Sequence, residues 1–298
     1  MIFQKKKTIV THSSHFHPDD VCAVAVLHIL LNGKYKLIRT RNMDIARKAD
    51  FLLDYGGEHD PKRQRFDHHQ QGGAGVRANG VPYASFGLVW KEYGERLCGS
   101  KSVAERIDEK IVALADAMDN GIDLITPKIE DVRPYYFADF LFSWNPTWNE
   151  DESLRTKNFK KAVGYAVVML SREIERGKSS EEGRLFAEKD YENATDKRVV
   201  ELSGNYPWTE ILVSHSEPLF VINPTPEDNT WGVKCVPVEK NSFVNRKQLP
   251  IAWAGKTGAE LAKVTGVSDA VFCHNGRFLV VAKSREGAIE LAKKAIEA

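Results

Sequence analysis

Short apolar, β-branched runs in the amino-terminal part of the chain end again and again on histidines and aspartates. "KTIVTH" leads into "SSHFHPDD", "DFLLD" into a glycine turn, and "RF" into "DHHQ". Residues of this type pair well on a pleated surface, so the runs read as strands. Between them, "DDVCAVAVLHILLNG" and "NMDIARKA" read as helices, the first with carboxylates in its opening turn and Gly33 at its end. Strand and helix in alternation predict an α/β fold, a mostly parallel sheet with helices on both faces. In open sheets of this kind ligands bind outside the carboxyl ends of the strands. The polar groups fall there: His12, His15, His17, Asp19 and Asp20 after one strand, Asp54 after another, and Asp67, His68 and His69 after a third.

Further along, "PYASFGLVWKEYGERLC" and "SVAERIDEKIVALADAMDNG" predict helices, and the second ends an apolar run on Asp116 and Asp119. "GGAGVRANG" (72–80) lacks the lysine and threonine of a phosphate-binding loop and reads as a flexible connector. The aromatic stretch "PYYFADFLFSWNPTW" is read as packing in preference to base stacking, and "KNFKKAVGYAVVMLSREIERG" and "SSEEGRLFAEKDYENA" as two more helices. From about Val199, short β-rich runs punctuated by Pro and Gly replace this texture. A smaller α+β domain is therefore expected over 201–298, after a metal-binding domain over 1–200.

Charge and composition narrow the function. With 42 basic and 41 acidic residues the net charge is +1, which gives little support to gripping a long duplex. The four cysteines form no CxxC pair and read as reduced, mostly buried thiols. No apolar run is long enough to cross a bilayer, and "MIFQKKKTIV" lacks the apolar stretch of a signal peptide, so a cytoplasmic protein is expected. Of the nine histidines, all but His215 and His274 lie at or before His69. Core histidines have no reason to bunch like this, whereas a metal site does. Mixed imidazole and carboxylate donors suit Mn²⁺, with Mg²⁺, zinc or another divalent ion as alternatives. The surplus of donors suggests two ions sharing a carboxylate.

"DHH" after "H…D" and an isolated strand-end Asp resembles the DHH phosphoesterase superfamily. Within it, "TH" at 11–12, "FHPDD" at 16–20, "LDYGGEHDPKRQRFDHHQ" at 53–70, "DAMDNGI" at 116–122, "FVNRKQLPIAWAG" at 243–255 and "VFCHNGRF" at 271–278 are most similar to a bacterial-type member of the melanocyte-proliferating-gene exonuclease family. The resemblance implies that His12, His17 and Asp54 hold one ion. Asp19, Asp54, His68 and either Asp116 or Asp119 would hold the other, with Asp54 bridging. Asp116 is favoured because it directly ends "IVALA", while "DNG" after Met118 keeps Asp119 in view. The superfamily's first motif usually has Asp where His17 stands, and His15 lies outside the pattern. Asp67 and His69 flank His68, one expected to orient it and the other to face substrate. Ser13 and Ser14 read as loop filler.

The resemblance also implies an active site in a cleft between the two domains, with Arg246, His274, Asn275 and Gly276 as substrate contacts and Arg277 and Lys283 as lesser candidates. The expected activity is 3′–5′ exonucleolytic hydrolysis of short or single-stranded RNA, with DNA as an alternative, by water activated between two Mn²⁺ ions. Catalysis would fall to Asp54, Asp67, His68 and His69. Rival readings are a hydrolase of pyrophosphate, a cyclic dinucleotide or a nucleotide bisphosphate, and a non-catalytic metal- or nucleotide-binding protein.

Overall fold

The computed structural model describes residues 6–225 and 228–298; the first residues of the stretch "MIFQKKKTIV" lie outside them. The chain divides into two compact units, one up to Lys178 and one from Ser179. The first contains β1 (Lys7–Thr11), α1 (Pro18–Leu30), β2 (Tyr35–Arg39), α2 (Met43–Ala46), β3 (Phe51–Leu53), β4 (His59–Asp60), β5 (Arg65–Phe66), α3 (Ser85–Cys98), α4 (Lys101–Ile107), α5 (Ala113–Asp119), α6 (Phe137–Phe142) and the start of α7 (Leu154–Asn193). Its sheet runs in the order β2-β1-β3-β5-β4, parallel throughout except for the β4–β5 pair.

Alternation along the strands sends side chains to two faces. Ile9, Phe51, Leu53 and Phe66 join the main core with α1 and α3, whereas Val10 and Leu52 form a smaller cluster with Ala46 and Met43 of α2. α1 is apolar almost all round and is buried from Asp19 to Leu27, as such a helix must be. Each fully buried Val or Leu in it contributes about 1.5–3 kcal/mol, so the turn that opens this helix stands on a rigid support.

Two expectations meet a different outcome here. The two helices read across 157–194 are one 40-residue helix, α7. Gly177 does not break it, because a Cβ there would lie 2.5 Å from Val103 Cγ1: the glycine serves close packing. The division between units consequently falls inside α7, earlier than the change of texture near 200, since Ala187 and Tyr191 of its last turns belong to a core of the second unit.

That unit adds β6 (Val199–Glu201), α8 (Thr209–Ser214), β7 (Phe220–Thr225), β8 (Thr230–Cys235), α9 (Gly258–Thr265), β9 (Ala270–Cys273), β10 (Leu279–Ala282) and α10 (Arg285–Glu297). Its mixed sheet has the order β6-β7-β8-β10-β9, parallel only at β6–β7. Phe220 and Ile222 pack with Leu261 of α9 and Leu291 of α10, and Val221 packs with Leu212 of α8. All four cysteines are buried and unpaired. No helix among the described residues is long and apolar enough to cross a membrane.

Candidate metal centre

Because β1, β3 and β5 are parallel, their carboxyl ends open on one side. His12 follows β1, Asp54 follows β3 and Asp67–His69 follows β5. Asp54 has φ 51°, a left-handed conformation that costs a residue with a Cβ roughly 1–2 kcal/mol. It is held there by its N–H, which donates to Phe66 O at 3.0 Å. Gly56 and Gly57 continue the turn at φ 110° and 68°, and Gly57 N–H donates to Asp67 Oδ2 at 2.5 Å. The turn thus locks Asp54 and Asp67 to each other. At the start of α1, His17 N–H donates to Asp20 Oδ1 at 3.0 Å, and Pro18 supplies a ring pre-set for the first helical position.

The side chains converge. His12 Nε2 lies 3.2 Å from Asp54 Oδ2 and 3.4 Å from Asp20 Oδ2; His68 Nε2 lies 3.3 Å from both Asp54 Oδ1 and Asp119 Oδ2; His17 Nδ1 lies 3.6 Å from Asp119 Oδ1. Four sets place their donor atoms within 4.8 Å of one another: Asp54, Asp67, His68 and His69; His12, Asp20 and Asp54; His17, Asp19 and Asp54; and Asp19, His68 and Asp119. Asp19, Asp20 and Asp54 are almost wholly buried. Both oxygens of Asp19, Asp54 Oδ1 and His68 Nε2 are buried without a hydrogen-bond partner. Buried polar atoms are normally paired, and a buried unpaired charge is costly. Hard oxygens and imidazole nitrogens left open toward one small space fit divalent cations.

Electrostatics point the same way. Burial, then the charges of Asp54 and Asp119, pushes Asp19 well above the ordinary carboxylate range. Burial raises Asp20 to about 7 against the pull of His12. Asp119 is raised by burial and by Asp54. For Asp54 burial is outweighed by the close approach and charge of His12 and His68, which hold it at about 2. His69 is raised to about 9, chiefly by its Nδ1 contact with Asp67 Oδ1 at 2.7 Å. The carboxyls of Asp19, Asp20 and Asp119 thus hold their protons to higher pH than free carboxylates do.

The model of the MYG1 family, described as an uncharacterised protein family (UPF0160), matches residues 8–296. The chain belongs to this family. It is 30% identical over 319 residues to the MYG1 protein of Dictyostelium discoideum, covering 97% of this chain and 96% of that one. It is 28% identical over 324 residues to the MYG1 exonuclease of Homo sapiens, covering 96% and 84%. A solved exopolyphosphatase-related protein from Bacteroides fragilis overlays with a TM-score of 0.23 at 11% identity, over 98% of this chain and 92% of that one, too low for a comparison of folds.

Not every residue singled out in this family member reaches the cluster. Asp116, favoured from the sequence over Asp119, points elsewhere: its Oδ2 lies 2.8 Å from Arg77 Nη1 and its Oδ1 accepts from Gly87 N–H at 3.0 Å. Arg77 also donates to both oxygens of Asp108 at 2.8 Å. The same arginine corrects the flexible-connector reading of 72–80, because it is the buried anchor of that loop. His15 is exposed. Ser14 is more than filler: its Oγ lies 2.9 Å from His12 Nδ1 and accepts from Arg41 Nη2 at 2.7 Å. Asp20, noted at the strand end but not put forward as a ligand, lies in the cluster. A carboxylate in a first helical turn looks like a cap until its burial is known.

In the second unit, Arg246 spends two guanidinium nitrogens on Pro218 O at 3.1 Å and Val213 O at 2.7 Å, so it braces the framework there. His274 Nδ1 accepts from Gly276 N–H at 2.9 Å, which places the ring proton on Nε2. Asn275 lies between them, and a Cβ on Gly276 would crowd the His274 and Phe278 rings. Arg277 is tied to Leu249 O and Gln248, and Lys283 N–H donates to Asp269 O.

Proposed function

We propose that the chain is a two-metal phosphodiesterase of the DHH type, an exonuclease that shortens short or single-stranded RNA, or DNA, from its 3′ end. The observation that carries this reading is the sharing of Asp54 between donor sets in which buried atoms of Asp19, Asp54 and His68 lack partners. The name exonuclease attached to the human relative supports it. His12 and Asp54, with Asp20 or His17, are assigned to one ion; Asp19, His68 and Asp119, again with Asp54, to the other. Divalent ions there would supply Lewis acidity and activate water at neutral pH.

The chain's own groups do the rest. With an ion bound, a proton on His12 Nδ1 directed at Ser14 Oγ would leave Nε2 free to offer its lone pair beside Asp54 and Asp20. Asp67 receives His68 N–H at 2.8 Å and His69 N–H at 3.2 Å and so sets both imidazoles. With Nδ1 held by Asp67, His69 would present Nε2–H as a donor to a phosphate oxygen. A cavity of about 520 Å³ lined by His12, His17, Arg41, Tyr55 and His69 has the size of a nucleotide site. In the second unit, His274 Nε2–H, Asn275 and the Gly276 backbone are the proposed phosphate contacts, while Arg246 braces the carbonyls of Val213 and Pro218. The test is a product-length time course on 5′-labelled RNA and DNA oligomers with Mn²⁺, beside His68→Ala. Stepwise shortening lost in the variant is expected; intact oligomers after prolonged incubation with the Mn²⁺-loaded protein would refute the proposal.

A further inference from the structure

α6 buries Ala138 and Leu141 but leaves Phe142 48% exposed. The ring lies nearly parallel to the His17 imidazole, with centroids 6.1 Å apart and planes at 15°. Its position is fixed. Asn145 Nδ2 donates to Phe142 O at 3.0 Å and to Phe16 O at 2.8 Å, while its Oδ1 accepts from Phe16 N–H at 3.0 Å. One amide side chain therefore clasps the backbone just before His17 in both directions and ties it to the end of α6. Phe16 itself is fully buried against Phe159, so the clasp is anchored in the core. The neighbouring aromatics behave differently: Phe140 and Trp144 pack with Tyr165 at 5.2 and 5.3 Å, as the packing reading of this stretch expected. Phe142 is left open beside the candidate metal centre, on a mount too rigid to be incidental.

We infer that Phe142 is a stacking platform for the nucleobase of the nucleotide whose phosphate enters the His17–Asp119 side of the centre. The inference rests on the nuclease reading above and adds a subsite to it. The Phe ring offers its face to any base, which gives affinity without sequence preference. His17 Nδ1, 3.6 Å from Asp119 Oδ1, lies between ring and carboxylates, so a phosphate held by the cluster leaves its nucleoside beside the ring.

Calorimetric binding of adenosine 5′-monophosphate and of ribose 5-phosphate to the Mn²⁺-loaded full chain tests this, because the two probes differ only by the base. Wild type is expected to prefer the nucleotide by roughly 5- to 150-fold, the contribution of one base stacked on an aromatic side chain. Phe142→Ala should bring that ratio close to one, and Phe142→Trp should restore it. An unchanged ratio in Phe142→Ala, or no preference in wild type, overturns the inference. So does an equal loss for both probes together with weaker Mn²⁺ binding, which would make Phe142 a mere support for His17. If wild type cleaves no oligonucleotide and the ratio still collapses in Phe142→Ala, the nuclease reading falls and the stacking subsite stands.

Discussion

Two aspartates three residues apart on α5 should answer mutation with opposite signatures. Asp119 faces Asp19 and His68 and lies among like charges, whereas Asp116 faces Arg77. In Asp119→Asn one negative charge leaves a crowded metal-free cluster, so the melting temperature in chelator should hold or rise. Its cost falls on metal binding. An ion present at 100 times its dissociation constant stabilises the folded state by about 2.7 kcal/mol, or about 5–10 °C in a chain of this size. The variant should lose that increment for one ion. Asp116→Asn leaves Arg77, 8% exposed, with Asp108 as its remaining carboxylate. Breaking a buried pair costs about 3–5 kcal/mol, and the surviving bidentate partner puts this one at about 3, a drop of about 6–12 °C with the Mn²⁺ increment retained. Melting at pH 8 with chelator and with Mn²⁺, together with metal stoichiometry, reads both quantities; burial raises Asp116 only to about 7, so it is ionised there. Should Asp116→Asn lose an ion at unchanged stability while Asp119→Asn keeps both, the assignment of ligands is reversed.

Metal-free stability should fall as pH rises. Asp20 is raised to about 7 from an ordinary value of 3.8, so its contribution is complete below 3.8 and lost by about 7; His69, raised to about 9, loses its own between 6.5 and about 9. Asp54, held at about 2, acts in the other sense and only in acid. Denaturant melts in chelator from about pH 5 to about pH 9 check the sign, and stability that climbs over this range would contradict it. Gly87→Ala should cost about 1–3 kcal/mol, because its Cβ would collide with the Asp116 carboxylate and Arg77 Nη2; the readout is the melting temperature in chelator, with Mn²⁺ stoichiometry unchanged. Ser14→Ala should weaken Mn²⁺ binding by about 10- to 100-fold by freeing the His12 ring, and a titration showing wild-type affinity would remove Ser14 from the site.

The strand-end donors were legible because each closes a short apolar run, and parallel strands bring such ends together whatever the loops do. The choice between Asp116 and Asp119 was not. It depends on the angle at which α5 presents its side chains, and a π-turn at Asp108–Val112 separates α4 from α5. That turn widens the helix by a residue, and the end of the apolar run "IVALA" does not reveal which face α5 turns to the cluster. Arg77, which claims Asp108 and Asp116 from a distant glycine-rich loop, makes a long-range pairing that local pattern does not reveal. The single helix α7 escaped notice for a related reason: Gly177 looks like a stop until Val103 is known to lie against it. The aromatic stretch gave its packing members, Phe140 and Trp144, but not Phe142, whose exposure is a property of the assembled unit.

What allows a chain to gather Asp19, Asp20 and Asp54 in one buried space before any cation is there? Part of the answer is the start of α1, where Asp19 and Asp20 lie in the first turn and the unpaired N–H groups favour negative charge. Part is protonation, since the raised carboxyls shed their charge in the metal-free state. The larger part is the core behind them. Val21 to Leu27 are wholly or almost wholly buried, and so are Ile9, Leu53 and Phe66 of the ligand-bearing strands. Several such side chains at about 1.5–3 kcal/mol each outweigh a few unfavourable carboxylate contacts. On the metal-site proposal, this unit would fold without its cations and take them up afterwards, unlike a small domain whose fold depends on its metal. Chelation should therefore remove activity while leaving helical content and cooperative unfolding in place, and cations added back should restore activity without a refolding lag.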